Sequence, residues 1–241
     1  MTNLDYLALA YFLMCWSFFG WLTAGERRFA RQSLTRLMNE HRELWLRNSL
    51  RRDLKMIDTS IIAGLQNGTA FFASTSILAI GGCFALLGAT EQVFQVFSDL
   101  PIPIETGRAA FEVKVGGLIA IFGYAFFKFG WAYRLFNYGS ILFGTLPMTE
   151  DARRDPDTAE RLVMRAVAMN VLGGKHFNAG LRAIFLSIGY LGWFISPAVF
   201  AASTTLVFAV LIRRQFFSQA RALLLEETAA DQAASQRGEK S

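Results

Sequence analysis

Residues 61–89 read IIAGLQNGTAFFASTSILAIGGCFALLGA, without one charged side chain. A helix needs about 20 predominantly apolar residues to cross the hydrocarbon core of a bilayer. In that core its backbone N–H and C=O groups must be satisfied within the segment. A run of this length and composition predicts a transmembrane α-helix and decides the class of the fold. The rest of the chain repeats the pattern: apolar blocks at residues 4–24, 113–133 and 183–212 alternate with charged stretches. Of the 241 residues 53% are hydrophobic, and the 23 Phe suit lipid-facing and interhelical surfaces better than a water-soluble core.

The first block has the length of a signal peptide, but Asp5 stands where Lys or Arg is expected, and Arg27 and Arg28 follow the apolar run. That charge order predicts an uncleaved anchor with its N-terminus outside. The last block is too long for one crossing, is interrupted at Ser196 and Pro197, and as a single span would carry Arg213 and Arg214 outside. Extended back to Asn178, it reads as two segments, 178–195 and 198–212, forming a Pro-broken helical hairpin. A single tilted, kinked helix is the alternative. The expected fold is all-α: a polytopic transmembrane helical bundle of four to five segments, one domain over residues 1–215, with a partly disordered cytoplasmic tail at 216–241.

Loop charges orient the bundle. Residues 25–59 carry nine Lys or Arg; residues 90–110 carry only Arg108, against Glu91, Asp99 and Glu105; residues 134–182 carry seven. Positively charged loops face the cytoplasm. The first and third connections are therefore expected inside, the Pro-containing loop at 100–105 outside, and the C-terminus in the cytoplasm. The net charge of +5 then reports topology and attraction to anionic lipid, not nucleic acid. Two cytoplasmic amphipathic helices are expected. In residues 31–53, Leu34, Leu37, Met38, Leu44 and Trp45 interleave with charges, and the segment suits either the membrane surface or packing on its neighbours. In residues 159–171 the pattern recurs, with Thr158 placed to cap.

Searches for chemistry return nothing. The chain has no His-Glu-x-x-His, Cys-x-x-Cys, Gly-x-Ser-x-Gly or P-loop pattern, and His41 and His176 are its only histidines. Cys15 and Cys83 lie in apolar blocks and read as packing residues. A non-enzymatic protein without metal or cofactor is expected. Gly116, Gly123 and Gly130 recur every seven residues and predict a close-packing stripe, facing either Ala70, Ser74, Gly81, Ala85 and Gly88 or a second copy of the chain. Lys128 sits among aromatic residues and is expected to snorkel towards the inner interface. Lys175, Asn178 and Arg182 have i, i+3, i+7 spacing, so they share a helical face where the chain meets the bilayer, with His176 to one side. Such a face suits a phosphate or carboxylate head group.

The runs Phe71-Phe72-Ala73-Ser74-Thr75, Tyr124-Ala125-Phe126-Phe127-Lys128-Phe129, Tyr133-Arg134-Leu135-Phe136-Asn137-Tyr138 and His176-Phe177-Asn178-Ala179-Gly180-Leu181-Arg182 resemble the domain-of-unknown-function family numbered 599, multi-span membrane proteins of bacteria and plants. The likeness covers about residues 4 to 215. The resemblance implies a shared fold and an inner-membrane location in a bacterium, transfers no activity, and directs attention to Lys128, Arg134, Asn137, His176, Asn178 and Arg182. The expected function is that of an accessory or assembly component of a membrane complex, with a lipid- or anion-binding inner face. The alternative is a small transporter or channel using Lys128 and the broken hairpin.

Overall fold

The computed structural model describes residues 1–23, 33–98 and 107–225. The loop at 100–105, Arg27, Arg28 and Arg31, and residues 226–241 of the tail lie outside the described residues. Among those described there is no strand. The chain forms α1 (Asn3–Thr23), α2 (Leu34–Ser49), α3 (Met56–Gly88), α4 (Thr90–Ser98), α5 (Arg108–Gly144), α6 (Thr149–Arg154), α7 (Pro156–Leu191), a 3-10 turn (Gly192–Phe194) and α8 (Pro197–Phe216). Helices α1, α3 and α5, and the run Pro197–Leu225 that contains α8, are long and apolar enough to cross a membrane. By that measure the chain is a multi-pass membrane protein with an all-α bundle fold.

Residues 159–171 and 178–191, read separately in the sequence, belong to one uninterrupted α7. Gly173 and Gly174 do not break it, because neighbours fill the space their missing side chains leave: Phe136 of α5 lies against Gly173 and the Arg42 guanidinium of α2 against Gly174. The cap is also corrected. Asp155, not Thr158, is the N-cap, its Oδ1 accepting from the Thr158 N–H at 3.0 Å, with Pro156 at the first helical position. The same device starts α8, where Ser196 Oγ accepts from the Val199 N–H at 3.2 Å and Pro197 follows. Between the two helices the chain reverses through Gly192–Phe194. Gly189 packs on the Ser203–Thr204 backbone and Gly192 on Val199, so α7 and α8 run antiparallel in close contact.

At the centre, α5 and α7 lie antiparallel along nearly their whole length, from Lys114 beside Trp193 to Gly139 beside Met169. Helix α3 covers one side of this pair, with Phe72 stacked on Phe129 and touching Phe177. Helices α1 and α8 cover the other, held by Phe12 against Tyr190 and Phe200 and by Tyr11 hydrogen-bonded to Thr205. The predicted glycine stripe is not part of this packing. Among the described residues nothing lies within 4 Å of where a side chain would begin at Gly116, Gly123 or Gly130, nor at Gly81 or Gly88. The buried seam of α3 is instead Ile62, Thr69, Ser76 and Cys83. Close approach falls to Gly117, Gly173 and Gly180, each receiving an aromatic ring (Tyr190, Phe136 and Phe129). Ring insertion makes many dispersion contacts at once, and lipid chains compete poorly with it.

With 33 and 37 residues, α3 and α5 extend about 50 and 55 Å at 1.5 Å per residue, well beyond a hydrocarbon core of about 30 Å. The excess forms a second core away from Trp193: Leu46 of α2, Ile62, Phe143, Leu146, Val163, Ala166 and Val167. Helix α2 docks there through Leu46, with Trp45 packed beside it, and through an ion pair from Arg47 to Glu160. Of the two sequence readings of this helix, packing on neighbours describes these contacts.

Candidate functional site

Side chains on an α-helix lean towards its N-terminus. Helix α5 starts at the Trp193 end of the bundle and α7 finishes there, so their side chains lean in opposite directions. The packing of Gly180 on Phe129 puts Lys128 and Arg182 at nearly the same height. Lys128 accordingly bends back one turn, its Nζ 5.2 Å from the centre of the Tyr124 ring. The expected snorkelling away from the bundle centre is thereby corrected: the lean of the helix and the attraction of the aromatic face set the opposite direction. Arg182 leans the other way, onto the end of α1. Its guanidinium lies 5.5 Å from the Phe19 ring centre, and Nη1 donates to Thr23 Oγ1 at 2.8 Å.

The Tyr124 ring lies under Lys128, and Trp16 of α1 packs edge-on against it at 5.4 Å. Two turns beyond Tyr124 along α5, Trp131 faces His176 at 6.5 Å. Trp131 also carries Arg134, whose guanidinium lies 5.9 Å from its ring while Nε donates to Tyr138 at 2.6 Å. Lys128, His176 and Arg182 thus line one side of the α5–α7 pair near the end of α1, with Arg134 adjoining and Lys175 exposed next to His176.

Two of the sequence-selected residues stand apart. Asn137 accepts from Gln66 Nε2 at 2.7 Å, which ties α5 to α3. Asn178 is half-buried and has no hydrogen-bond partner among the described residues.

The charge balance is one-sided. Among the described residues the ion pairs engage Arg36, Arg47, Arg52, Arg108, Lys114 and Arg154, and none engages Lys128, Arg134, Lys175 or Arg182. Arg42 resembles these four: its guanidinium rests on Gly174 and donates only to Asn39, at 3.3 Å. Cations stacked on rings keep donors that their aromatic partners cannot satisfy, and an anion can.

The other end is the reverse case, and sequence reading missed it. Asp5 is 6% exposed and Lys114 3%. Asp5 Oδ1 accepts from Trp193 Nε1 at 2.7 Å and stands 4.0 Å from Lys114 Nζ, which donates to the Trp193 carbonyl at 2.7 Å. Asp5 Oδ2 accepts from the Thr2 N–H at 2.7 Å, and Thr2 Oγ1 accepts from the Asp5 N–H at 3.3 Å, a capping box that starts α1. The Tyr190 hydroxyl donates to the Lys114 carbonyl at 3.1 Å and fits only because residue 117 is Gly. Spacing offers no signal for this knot, since its members lie in three remote stretches of chain.

A family model described as "Protein of unknown function, DUF599" matches residues 7–220. The chain belongs to that family. No curated protein and no solved structure matches it. The family carries no assigned activity, so functional argument for this DUF599 member rests on its own residues.

Proposed function

We propose that the protein acts by binding rather than catalysis: it holds an anionic head group of the cytoplasmic leaflet of a bacterial inner membrane between α1, α5 and α7, as an accessory or assembly component of a membrane complex. The observation that carries this reading is that Lys128 over Tyr124, His176 against Trp131 and Arg182 on the end of α1 line one side of the α5–α7 pair, with Lys175 exposed beside His176 and no carboxylate paired to any of them among the described residues. Uncompensated cations beside hydrocarbon are costly, and such residues ordinarily face a partner or a substrate. A lipid phosphate offers charge-assisted hydrogen bonds to both Arg and Lys. The orientation follows from loop charge, with the N-terminus outside and the basic end inside. The open Gly116, Gly123 and Gly130 face suits a neighbouring helix of that complex, or of a second copy. Transport has less support, because Trp193 stacked on Phe200 fills the hairpin turn where a broken helix would line a path.

The test is native mass spectrometry of the full chain extracted gently from its own membrane. Retention of anionic phospholipid above its share of the bulk membrane is expected. Retained lipid matching bulk composition would overturn the reading. A stoichiometric protein partner in the same spectrum would establish the accessory role.

A further inference from the structure

A second group of unmatched polar side chains lies where α2 meets α7. Arg42 of α2 is half-buried, and its Nη1, Cζ and Nη2 all lie within 3.0 Å of the point where a side chain of Gly174 would begin. The guanidinium thus fills the space that this glycine leaves on α7. A guanidinium has five N–H donors, and Arg42 uses one, on Asn39 Oδ1 at 3.3 Å. No carboxylate pairs with it among the described residues. Asn170 supplies an independent observation. Helices α2 and α7 touch at Leu46, which packs with Val163, Ala166 and Val167, and again at Arg42 on Gly174. Asn170 lies on α7 between those contacts, one turn from Gly174 and on the same face. It is 5% exposed, and its Oδ1 has no donor. Asn178, one turn to the other side of Gly174, leans back towards it and has no hydrogen-bond partner among the described residues. Buried polar groups left unmatched are costly. Here the guanidinium lacks an anion, and Asn170 lacks a donor.

We propose that the α2–α7 seam binds a small carboxylate that presents two oxygens to Arg42 and a hydroxyl or amino donor to Asn170. A carboxylate matches the guanidinium fork with two parallel hydrogen bonds and neutralises its single charge. The site is separate from the head-group seat, because Gly174 and Arg182 stand two turns apart on α7, about 12 Å. A lipid phosphodiester also offers two oxygens and one charge. The soluble source is favoured, because from Gly174 through Asn170 the seam runs towards the second core, away from the Trp193 end.

The experiment is a calorimetric titration of the full chain in detergent, with Lys128→Gln and Arg182→Gln present to silence the head-group seat. The probes are lactate, acetate and short-chain phosphatidylglycerol. Saturable lactate binding is expected, tighter than acetate, and at least about tenfold weaker once Arg42→Gln is added. Gly174→Ala is expected to weaken it likewise. Its new methyl group meets the flexible end of Arg42, so the guanidinium is displaced while α7 keeps its course. Phosphatidylglycerol competing as tightly as lactate would overturn the soluble source and assign the seam to a lipid phosphodiester. Equal affinity for lactate and acetate would overturn the role of Asn170. Lactate binding unchanged by Arg42→Gln or by Gly174→Ala, or binding of none of the probes, would overturn the site. Either result would leave the head-group reading, which rests on other residues, untouched.

Discussion

Lys128 and Lys114 show how far one residue can be read from its neighbours in sequence. Both lie in the α5 block, and Lys128 draws attention because aromatic residues flank it. Yet Lys114 is the buried one, tied to Asp5 and Trp193 from the two distant ends of the chain. Asp5 read from sequence is a topology signal; in the fold it also accepts four donors or charges, counting both oxygens. Tertiary partners of that kind leave no periodic trace, which is why the knot was illegible while Arg182, on a face with regular spacing, was visible. Removing one member of a buried pair strands the other. Asp5→Ala is therefore expected to destabilise the protein by about 3–5 kcal/mol, read as a lowered thermal midpoint in detergent. The double variant Asp5→Asn with Lys114→Met should recover part of the loss, because it removes the stranded charge. Equal destabilisation by the single and double variants would refute the coupling.

At the scale of elements, the apolar blocks and the turn at Pro197 were legible because hydrocarbon length and proline chemistry are local. Two things were not. The continuity of α7 through Gly173-Gly174 depends on Phe136 and Arg42, which sit on other helices. The choice of packing glycines depends on where aromatic rings fall, so Gly117 and Gly180 matter and the regular Gly116, Gly123, Gly130 series meets no neighbour among the described residues. Gly180→Ala would bring a Cβ within 2.7 Å of Phe129, whose ring is stacked on Phe72. The expected cost is about 1–3 kcal/mol, against no measurable loss for Gly123→Ala, with thermal unfolding of both as the comparison. The start of α7 titrates. The Thr158 hydroxyl and N–H hold the Asp155 carboxyl below its usual range. Its capping contribution is thus complete above the ordinary carboxylate pKa and lost as pH falls through the lowered folded value. Amide exchange at residues 157–159, corrected for its intrinsic pH dependence, should quicken across that acid window, and Asp155→Ala should show the quickening already at neutral pH.

For the whole molecule, the Trp193 end is closed by a satisfied ion pair and a stack of Phe12, Tyr190, Trp193 and Phe200. Beyond the basic cluster, the opposite end continues as a helical extension with its own small core. On the proposed orientation, with the N-terminus outside, a cysteine placed at Ser196 should react with an impermeant thiol reagent on intact cells, and one at Glu150 only after permeabilisation. The reverse pattern would invert the topology. Between the two ends lies the claim on which the functional account depends, that unpaired cations of α5 and α7 hold an anionic head group. Native mass spectrometry of the wild type beside a Lys128→Gln/Arg182→Gln double variant, prepared identically from the same membrane, tests it most directly. The account predicts that anionic phospholipid bound to the wild type falls several-fold in the variant while neutral phospholipid is unchanged; equal anionic lipid on both proteins, with both folded, would contradict it.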